Sequence, residues 1–114
     1  MLKGLGGLGD MTKMLKAAQE MQQKMADLTE ELHRINVVGQ SGGGLVTATV
    51  SAKGELKALD IDPSIFRAED KEVVEDLILA AIKDAQSKAD ARTKEEMGKL
   101  TASMGLPADM KLPF

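Results

Sequence analysis

The chain has 114 residues, the size of one domain, and its hydrophobic fraction of 43% and charged fraction of 29% are typical of a protein that folds around a core. It contains no cysteine, which excludes disulfides and thiolate metal sites, and its only aromatic residues are Phe66 and Phe114, which argues against the aromatic platforms of RNA-binding modules. The net charge of −3 argues against a strongly basic nucleic-acid binder. That charge is uneven: residues 1–25 carry four basic and two acidic side chains, residues 26–80 five and eleven, and residues 81–114 six and five.

The first nine residues are rich in glycine and predict a flexible N-terminal tail. No long apolar run precedes Asp10, so we expect neither a signal peptide nor a membrane span, and we predict a cytoplasmic protein. A first helix is predicted from Asp10, a suitable N-cap, because apolar residues then recur at alternating steps of three and four. These residues are Met11, Met14, Ala18, Met21, Met25, Leu28, Leu32 and Ile35. The stripe indicates either an amphipathic helix on a sheet or pairing with a second long helix.

Three strands are predicted after this helix. Val37 to Gln40 favours extended chain, and Ser41 to Gly44 is typical of a turn or flexible loop. Leu45 to Ala52 alternates apolar and polar residues, with its valines and alanines on one face, and predicts the clearest strand. A turn at Lys53 and Gly54 leads into a third strand over Glu55 to Asp62, which ends where Pro63 removes a backbone donor.

A second helix is predicted from near Asp70 to Gly105, with a broad apolar face up to Ala85. The stretch from Gln86 to Glu96 is polar almost all round, and a helix of roughly 35 residues is ~50 Å long. We therefore expect this stretch to project beyond the sheet as an exposed arm. The elements together predict an α+β fold in two layers, helix–three-stranded antiparallel sheet–helix, as a single domain over residues 10–105 with a C-terminal tail over 106–114.

No group of residues suggests catalysis. Gly4 to Gly9 matches the spacing of a dinucleotide-binding loop, but no strand fits before it. Four carboxylates around Pro63 could bind a hard cation weakly, yet they are explained more simply by strand-end and helix-start chemistry. The chain contains one histidine and no nucleophile with a supporting base. We predict a protein that is not an enzyme, with no metal and no cofactor.

A basic stripe lies on the second predicted helix, where Lys88, Arg92 and Lys99 share one face and suit a phosphate backbone. Glu95 lies on the same face. The alternative is a solvated helix with ion pairs at i,i+4, such as Asp84 with Lys88 and Glu95 with Lys99. The residues alone favour this alternative.

Several short strings follow one another in a specific order along the chain. They are Met14 to Gln22, which follows the glycine-rich start, then Gly42 to Val46, Ile61 to Ser64, Asp76 to Ala81, Leu106 with Pro107, and Lys111 to Phe114. Taken together in this order, they resemble the YbaB/EbfC family of bacterial nucleoid-associated proteins. The resemblance covers nearly the whole chain. It implies a tweezer-like homodimer with protruding helices that binds duplex DNA with limited sequence preference, located in the nucleoid and without enzyme activity.

Two sets of residues are expected to carry the function, the first from this resemblance and the second from the apolar faces of the predicted elements. DNA contacts are expected from helix-borne basic residues, namely Lys13, Lys16, Lys88, Arg92, Lys94 and Lys99. The dimer interface is expected to use Met21, Met25, Leu28, Val46, Ala48, Val50, Leu59, Ile61, Leu77 and Ile78. The competing interpretation is a dimeric protein-interaction scaffold that serves DNA-repair or replication proteins.

Overall fold

A computed structural model describes the backbone of residues 2–105 and the side chains of residues 9–105. It contains helix α1 (Leu2–Arg34), strands β1 (Asn36–Ser41), β2 (Val46–Ser51) and β3 (Leu56–Ile61), and helix α2 (Lys71–Ser103). The predicted α+β order is confirmed. The predicted tail over residues 106–114 lies outside the described residues. No helix in the described part of the chain combines the length and apolar character that a bilayer span requires.

The chain divides into two compact units, Met1–Glu30 and Glu31–Phe114. The boundary lies inside α1, within the single domain predicted over residues 10–105. The first unit is therefore most of one helix, whereas the second contains the last turn of α1, the sheet and α2.

Helix α1 begins earlier than predicted. It starts at Leu2 and passes through Asp10, so Asp10 is not its N-cap. Extending an existing helix adds one backbone hydrogen bond per residue, which offsets the cost of about 1 kcal/mol for each glycine. Along the predicted stripe, Leu28 and Leu32 are buried, Met21 and Met25 are half-buried, and Met14 is exposed.

The sheet is antiparallel with strand order β1-β2-β3, and all three strands lie within one residue of their predicted bounds or inside them. The link from β1 to β2 is a short 3₁₀ turn over Gly42–Gly44. All three glycines have positive φ, at 61°, 68° and 97°, a region that residues with a Cβ rarely adopt. The glycine run therefore determines the tight connection between the first two strands.

Helix α2 packs across β1 and β2 and completes a two-layer unit. Val46, Ala48 and Val50 alternate along β2, as predicted, and are fully buried. They pack against Ala81, Ala85 and Ala89, which recur every fourth residue on α2 and are also fully buried. Three small side chains in a row let the helix lie close to the sheet.

The predicted arm over Gln86 to Glu96 is wrong for most of its length. Ala89 is buried on the sheet, and the Thr93 hydroxyl donates a hydrogen bond of 2.6 Å to the carbonyl of Ala52. Alanine and threonine fill little volume, so a stretch that reads as polar still forms a packing face when the opposing backbone lies close.

Strand β3 is the less covered edge of the sheet. Leu59 pairs with Ala48 and therefore lies on the face of the sheet that carries α2. Because α2 covers β1 and β2, Leu56 and Leu59 remain 51% and 40% exposed. The sheet thus presents an apolar strip beside the helix.

Candidate nucleic-acid interface

Three cationic side chains of α2 form what we call the α2 cation row: Lys88, Arg92 and Lys99. All three are partly exposed, with side-chain exposures of 56%, 43% and 63%. Each is also paired to a carboxylate of the same helix. Lys88 lies 3.0 Å from Asp84 and Lys99 lies 3.8 Å from Glu95, which confirms both predicted i,i+4 pairs.

Glu96, which the sequence did not single out, joins two members of this row. Its Oε1 accepts hydrogen bonds from Arg92 Nε at 3.0 Å and from Lys99 Nζ at 3.4 Å. Its side chain is only 10% exposed. The hydrogen bond from Arg92, followed by that from Lys99, holds the pKa of this carboxyl below its usual value despite burial. Glu96 is therefore ionised at neutral pH.

Asp84 links the row to the sheet. Its Oδ2 accepts a hydrogen bond of 3.0 Å from the backbone N–H of Gln40 and also receives Lys88 Nζ at 3.0 Å. The Gln40 N–H first, and then Lys88, lower the pKa of the Asp84 carboxyl. This N–H points away from β2, at the open edge of β1, so Asp84 satisfies a donor that would otherwise face water.

A shallow cleft separates the edge of β1 from α2 beside the row. Lys88, Arg92 and Glu95 line its helical side, and Asn36 with Val38 line its strand side. The structure thus brings two of the predicted DNA-contacting residues, Lys88 and Arg92, to one concave surface. Asn36 is a neighbour that sequence reasoning did not identify, because only the pairing of β1 with the sheet places it there.

The other predicted DNA contacts lie elsewhere. Lys94 is exposed on α2 but is only two residues from Arg92, so it projects from a different side of the helix. Lys13 and Lys16 are exposed on α1, in the first compact unit. Within α2, therefore, Lys88, Arg92 and Lys99 share one face and Lys94 does not.

The residues predicted for a dimer interface fall into three groups. Val46, Ala48 and Val50 are fully covered within one chain, so they belong to the core and have no surface to offer a second copy. Leu28 is also buried. The remaining predicted residues retain exposed surface: Leu59 is exposed, and Met21, Met25, Ile61, Leu77 and Ile78 are half-buried.

A polar cluster that the sequence did not predict ties the end of α1 to the sheet. His33 Nδ1 pairs with Glu55 Oε1, and Lys57 Nζ donates to the carbonyl oxygen of His33 at 2.6 Å and to Asn36 Oδ1 at 3.0 Å. The hydrogen bond with His33, and then that with Ser51, lowers the pKa of the Glu55 carboxyl. His33 and Glu55 are 22 residues apart, so no local pattern signals their pairing.

Comparison with known proteins decides the family. Residues 7–104 match the model of the YbaB/EbfC DNA-binding family. The chain belongs to this family. Membership of the YbaB/EbfC family confirms the resemblance found in the sequence. The matched residues include the whole α2 cation row.

Named relatives of this YbaB/EbfC chain share nearly half of its residues. It is 46% identical to a nucleoid-associated protein of Agrobacterium fabrum and 47% identical to one of Methylocella silvestris, in each case over 92% of this chain and 98% of the relative. It is 45% identical to a nucleoid-associated protein of Pseudomonas fluorescens, over 93% of this chain and 97% of the relative.

The fold is also similar to that of an uncharacterized protein from Helicobacter pylori, known from a crystal structure. The TM-score is 0.65 with 26% sequence identity, and the alignment covers 75% of this chain and 89% of that protein. The likeness supports the arrangement of elements found for this YbaB/EbfC chain.

Proposed function

We propose that this protein binds duplex DNA as a homodimer with limited sequence preference, in the nucleoid of the bacterial cytoplasm, and affects nucleoid organisation or gene expression. Family membership and the nucleoid-associated relatives support the proposal. The observation that carries it is the α2 cation row, because three partly exposed cations share one helix face.

The row suits the DNA backbone rather than the bases. Lys88, Arg92 and Lys99 are separated by four and seven residues, which is ~6 Å and ~10 Å along the helix axis. Lysine and arginine on a helix face neutralise phosphates and release counterions, and such contacts carry little sequence information. We therefore expect binding that weakens steeply with salt and that discriminates poorly between sequences.

The exposed lysines outside the row are further proposed DNA contacts. Lys13 and Lys16 are exposed on α1, and Lys94 is exposed on a second side of α2. A homodimer would present each set twice. Doubling the number of phosphate contacts would raise the affinity of an acidic protein for DNA without changing any single contact.

The exposed apolar side chains support the homodimer. Leu56 and Leu59 on β3 and Met11 and Met14 on α1 are at least 40% exposed, which is a poor arrangement for a monomer in water. We propose that a second copy covers the β3 strip together with the half-buried side chains of the predicted set: Met21, Met25, Ile61, Leu77 and Ile78.

The test combines light scattering with titration of a fluorescent 30-base-pair duplex on the same purified sample. The wild type is expected to have the mass of a dimer and to bind two unrelated duplexes with similar affinity. Lys88→Glu with Arg92→Glu is expected to weaken binding at least tenfold at low salt, because two attractive contacts per protomer become repulsive.

Lys53→Glu with Lys71→Glu is the matched control, since it makes the same charge change at exposed lysines outside the row. Equal losses in the two double variants would show that only net charge matters and would remove the row from the proposal. Wild-type protein that fails to bind DNA at low salt would contradict the proposed function itself.

One observation favours the scaffold alternative. Phe66 is 64% exposed and lies in a concave, mainly apolar surface with Ile65 and Val74. Exposed aromatic side chains are common at protein interfaces. A protein that is dimeric, never binds DNA, and loses a DNA-repair or replication partner on Phe66→Ser would support the scaffold.

A further inference from the structure

We propose that Glu96 is an internal competitor of DNA, which occupies Arg92 and Lys99 and thereby keeps phosphate binding by the α2 cation row weak. The inference rests on the proposed DNA-binding function and concerns the regulation of that same site. Glu96 is a carboxylate that the sequence pattern alone does not single out.

The charges of the α2 cation row are balanced within the helix. The three cations of the row, Lys88, Arg92 and Lys99, are matched by three carboxylates in contact with them: Asp84, Glu95 and Glu96. The row and its partners are therefore neutral as a group. A phosphate gains little from an ion pair that is already neutral, so DNA binding requires the carboxylates to move away from their cations.

The carboxylates that pair with the row differ in their freedom to move. Glu95 has a side chain that is 61% exposed, so its carboxylate can rotate into solvent when a phosphate approaches. Asp84 is held by the Gln40 N–H, but among the cations of the row it pairs with Lys88 alone, and the exposed Lys88 side chain can turn away from it toward a phosphate. The side chain of Glu96 is only 10% exposed. Its carboxylate is therefore confined beside Arg92 and Lys99, and its charge stays in the site when DNA arrives.

Glu96 contacts two cations of the row at once. Glu96 uses one oxygen, Oε1, to accept from both Arg92 Nε and Lys99 Nζ. One carboxylate thus reduces the attraction of two cations for phosphate. Because hydrogen bonding lowers the pKa of Glu96, protonation does not relieve this competition at neutral pH.

The test substitution is Glu96→Gln. It keeps the shape of the side chain and an oxygen that can accept from Arg92, and it removes one negative charge. We expect DNA affinity to rise about three- to tenfold at low salt, which is the scale of one charge acting on phosphates ~6 Å away at a protein surface. The slope of log K against log salt should become steeper by about one per site engaged, which a merely structural role would not produce.

The matched control is Glu72→Gln. Glu72 is exposed in the first turn of α2, 20 residues or ~30 Å along the helix before Arg92. The control makes the same chemical change and the same change in net charge without touching the row or Lys94. Equal increases in both variants, no increase for Glu96→Gln, or weaker binding by Glu96→Gln would each overturn the proposal, the last because Glu96 would then position Arg92 for DNA.

A second measurement uses the wild type and stands if Glu96→Gln fails to fold. The chain has three arginines, Arg34, Arg67 and Arg92, so the Nε–H signal of Arg92 can be assigned by nuclear magnetic resonance with one Arg92→Lys sample. Competition predicts that this signal shifts as DNA is added while that of Arg67 does not. An unchanged Arg92 signal at DNA saturation would overturn the proposal, whereas absent DNA binding would refute the proposed function beneath it.

Discussion

At Gly39 the lack of a side chain determines how close α2 lies to the sheet. A Cβ added there would be 2.2 Å from the backbone nitrogen of Ala85 and 2.6 Å from the carbonyl oxygen of Ala81. Both neighbours are backbone atoms of a packed helix and cannot rotate away. The close contact of strand and helix therefore depends on one glycine facing a row of alanines.

We predict that Gly39→Ala lowers the free energy of unfolding by about 1–3 kcal/mol or more, since α2 must move away from β1 to make room for the Cβ. Gly98→Ala is the control, because an added Cβ there would meet nothing within 4 Å apart from its chain neighbours and the nearby backbone of its own helix, and alanine is the best helix former. It should raise the free energy of unfolding by about 0.5–1 kcal/mol. Urea denaturation of both variants measures these changes, and equal stability of Gly39→Ala and wild type would contradict the packing described.

At the scale of elements, the strands were predictable from sequence and the packing face of α2 was not. Alternation of Val46, Ala48 and Val50 with threonines has only one simple explanation, a strand with one buried face. The small residues Ala85, Ala89 and Thr93 do not mark a buried face, since their burial depends on how near the opposing backbone lies. Hydrophobic periodicity therefore stopped at Ala85, although the helix packs on the sheet for two further turns.

The same distinction holds for the candidate site. The pairs of Lys88 and Lys99 with carboxylates four residues away were predictable, because the helix repeat alone brings them together. The spacing of Arg92 and Glu96 gives the same signal, but the burial of Glu96 is a property of the folded surface. Similarly, the contact of Asp84 with Gln40 joins residues 44 positions apart and follows only from the packing of α2 against β1.

The contact between α2 and the edge of β1 predicts a dependence of stability on pH. The Asp84 carboxyl has its pKa lowered from 3.8, so the unfolded chain binds this proton more tightly than the folded protein. The stabilisation is complete above about pH 4–5 and is lost as the pH falls through the lowered pKa. We expect the free energy of unfolding to decrease on acidification below pH 4, and to decrease less in Asp84→Asn.

Urea midpoints between pH 2 and pH 7 measure this effect, with Asp90→Asn as the control for removal of one charge. A wild type and an Asp84→Asn variant with parallel pH profiles would show that the contact with Gln40 does not stabilise the fold.

At the scale of the whole molecule, acidic and basic residues are unevenly distributed along the chain. The excess of acidic residues lies within residues 26–80, which include all three strands, whereas the cation row lies on α2 beyond them. Beyond a Debye length of ~8 Å at physiological salt, exposed charges scarcely affect one another. An overall charge of −3 is therefore compatible with a DNA contact on α2.

The exposed strip on β3 gives a prediction for the assembly. Leu59→Glu should leave the fold of one chain intact, because Leu59 is 40% exposed, but should shift the proposed dimer to monomer by placing a charge in an apolar contact. Ala58→Glu is the control, as its register partner Thr49 places it on the opposite face of the same strand. Light scattering over a range of concentrations separates the two, and dissociation by Ala58→Glu alone would move the interface to the other face.

The contact of Gly39 with Ala81 and Ala85 also determines the tilt of α2 on the sheet. Ser103, at the end of the helix, lies 18 residues or ~27 Å beyond Ala85, so a tilt of about 5° at this contact displaces that end by ~2 Å. Lys99 is carried almost as far, whereas Lys88, close to the pivot, scarcely moves. Substitutions at the smallest residues of the core would therefore move the cations relative to the sheet while leaving their spacing along α2 unchanged, and two family members with identical basic residues can differ in where the helix presents them.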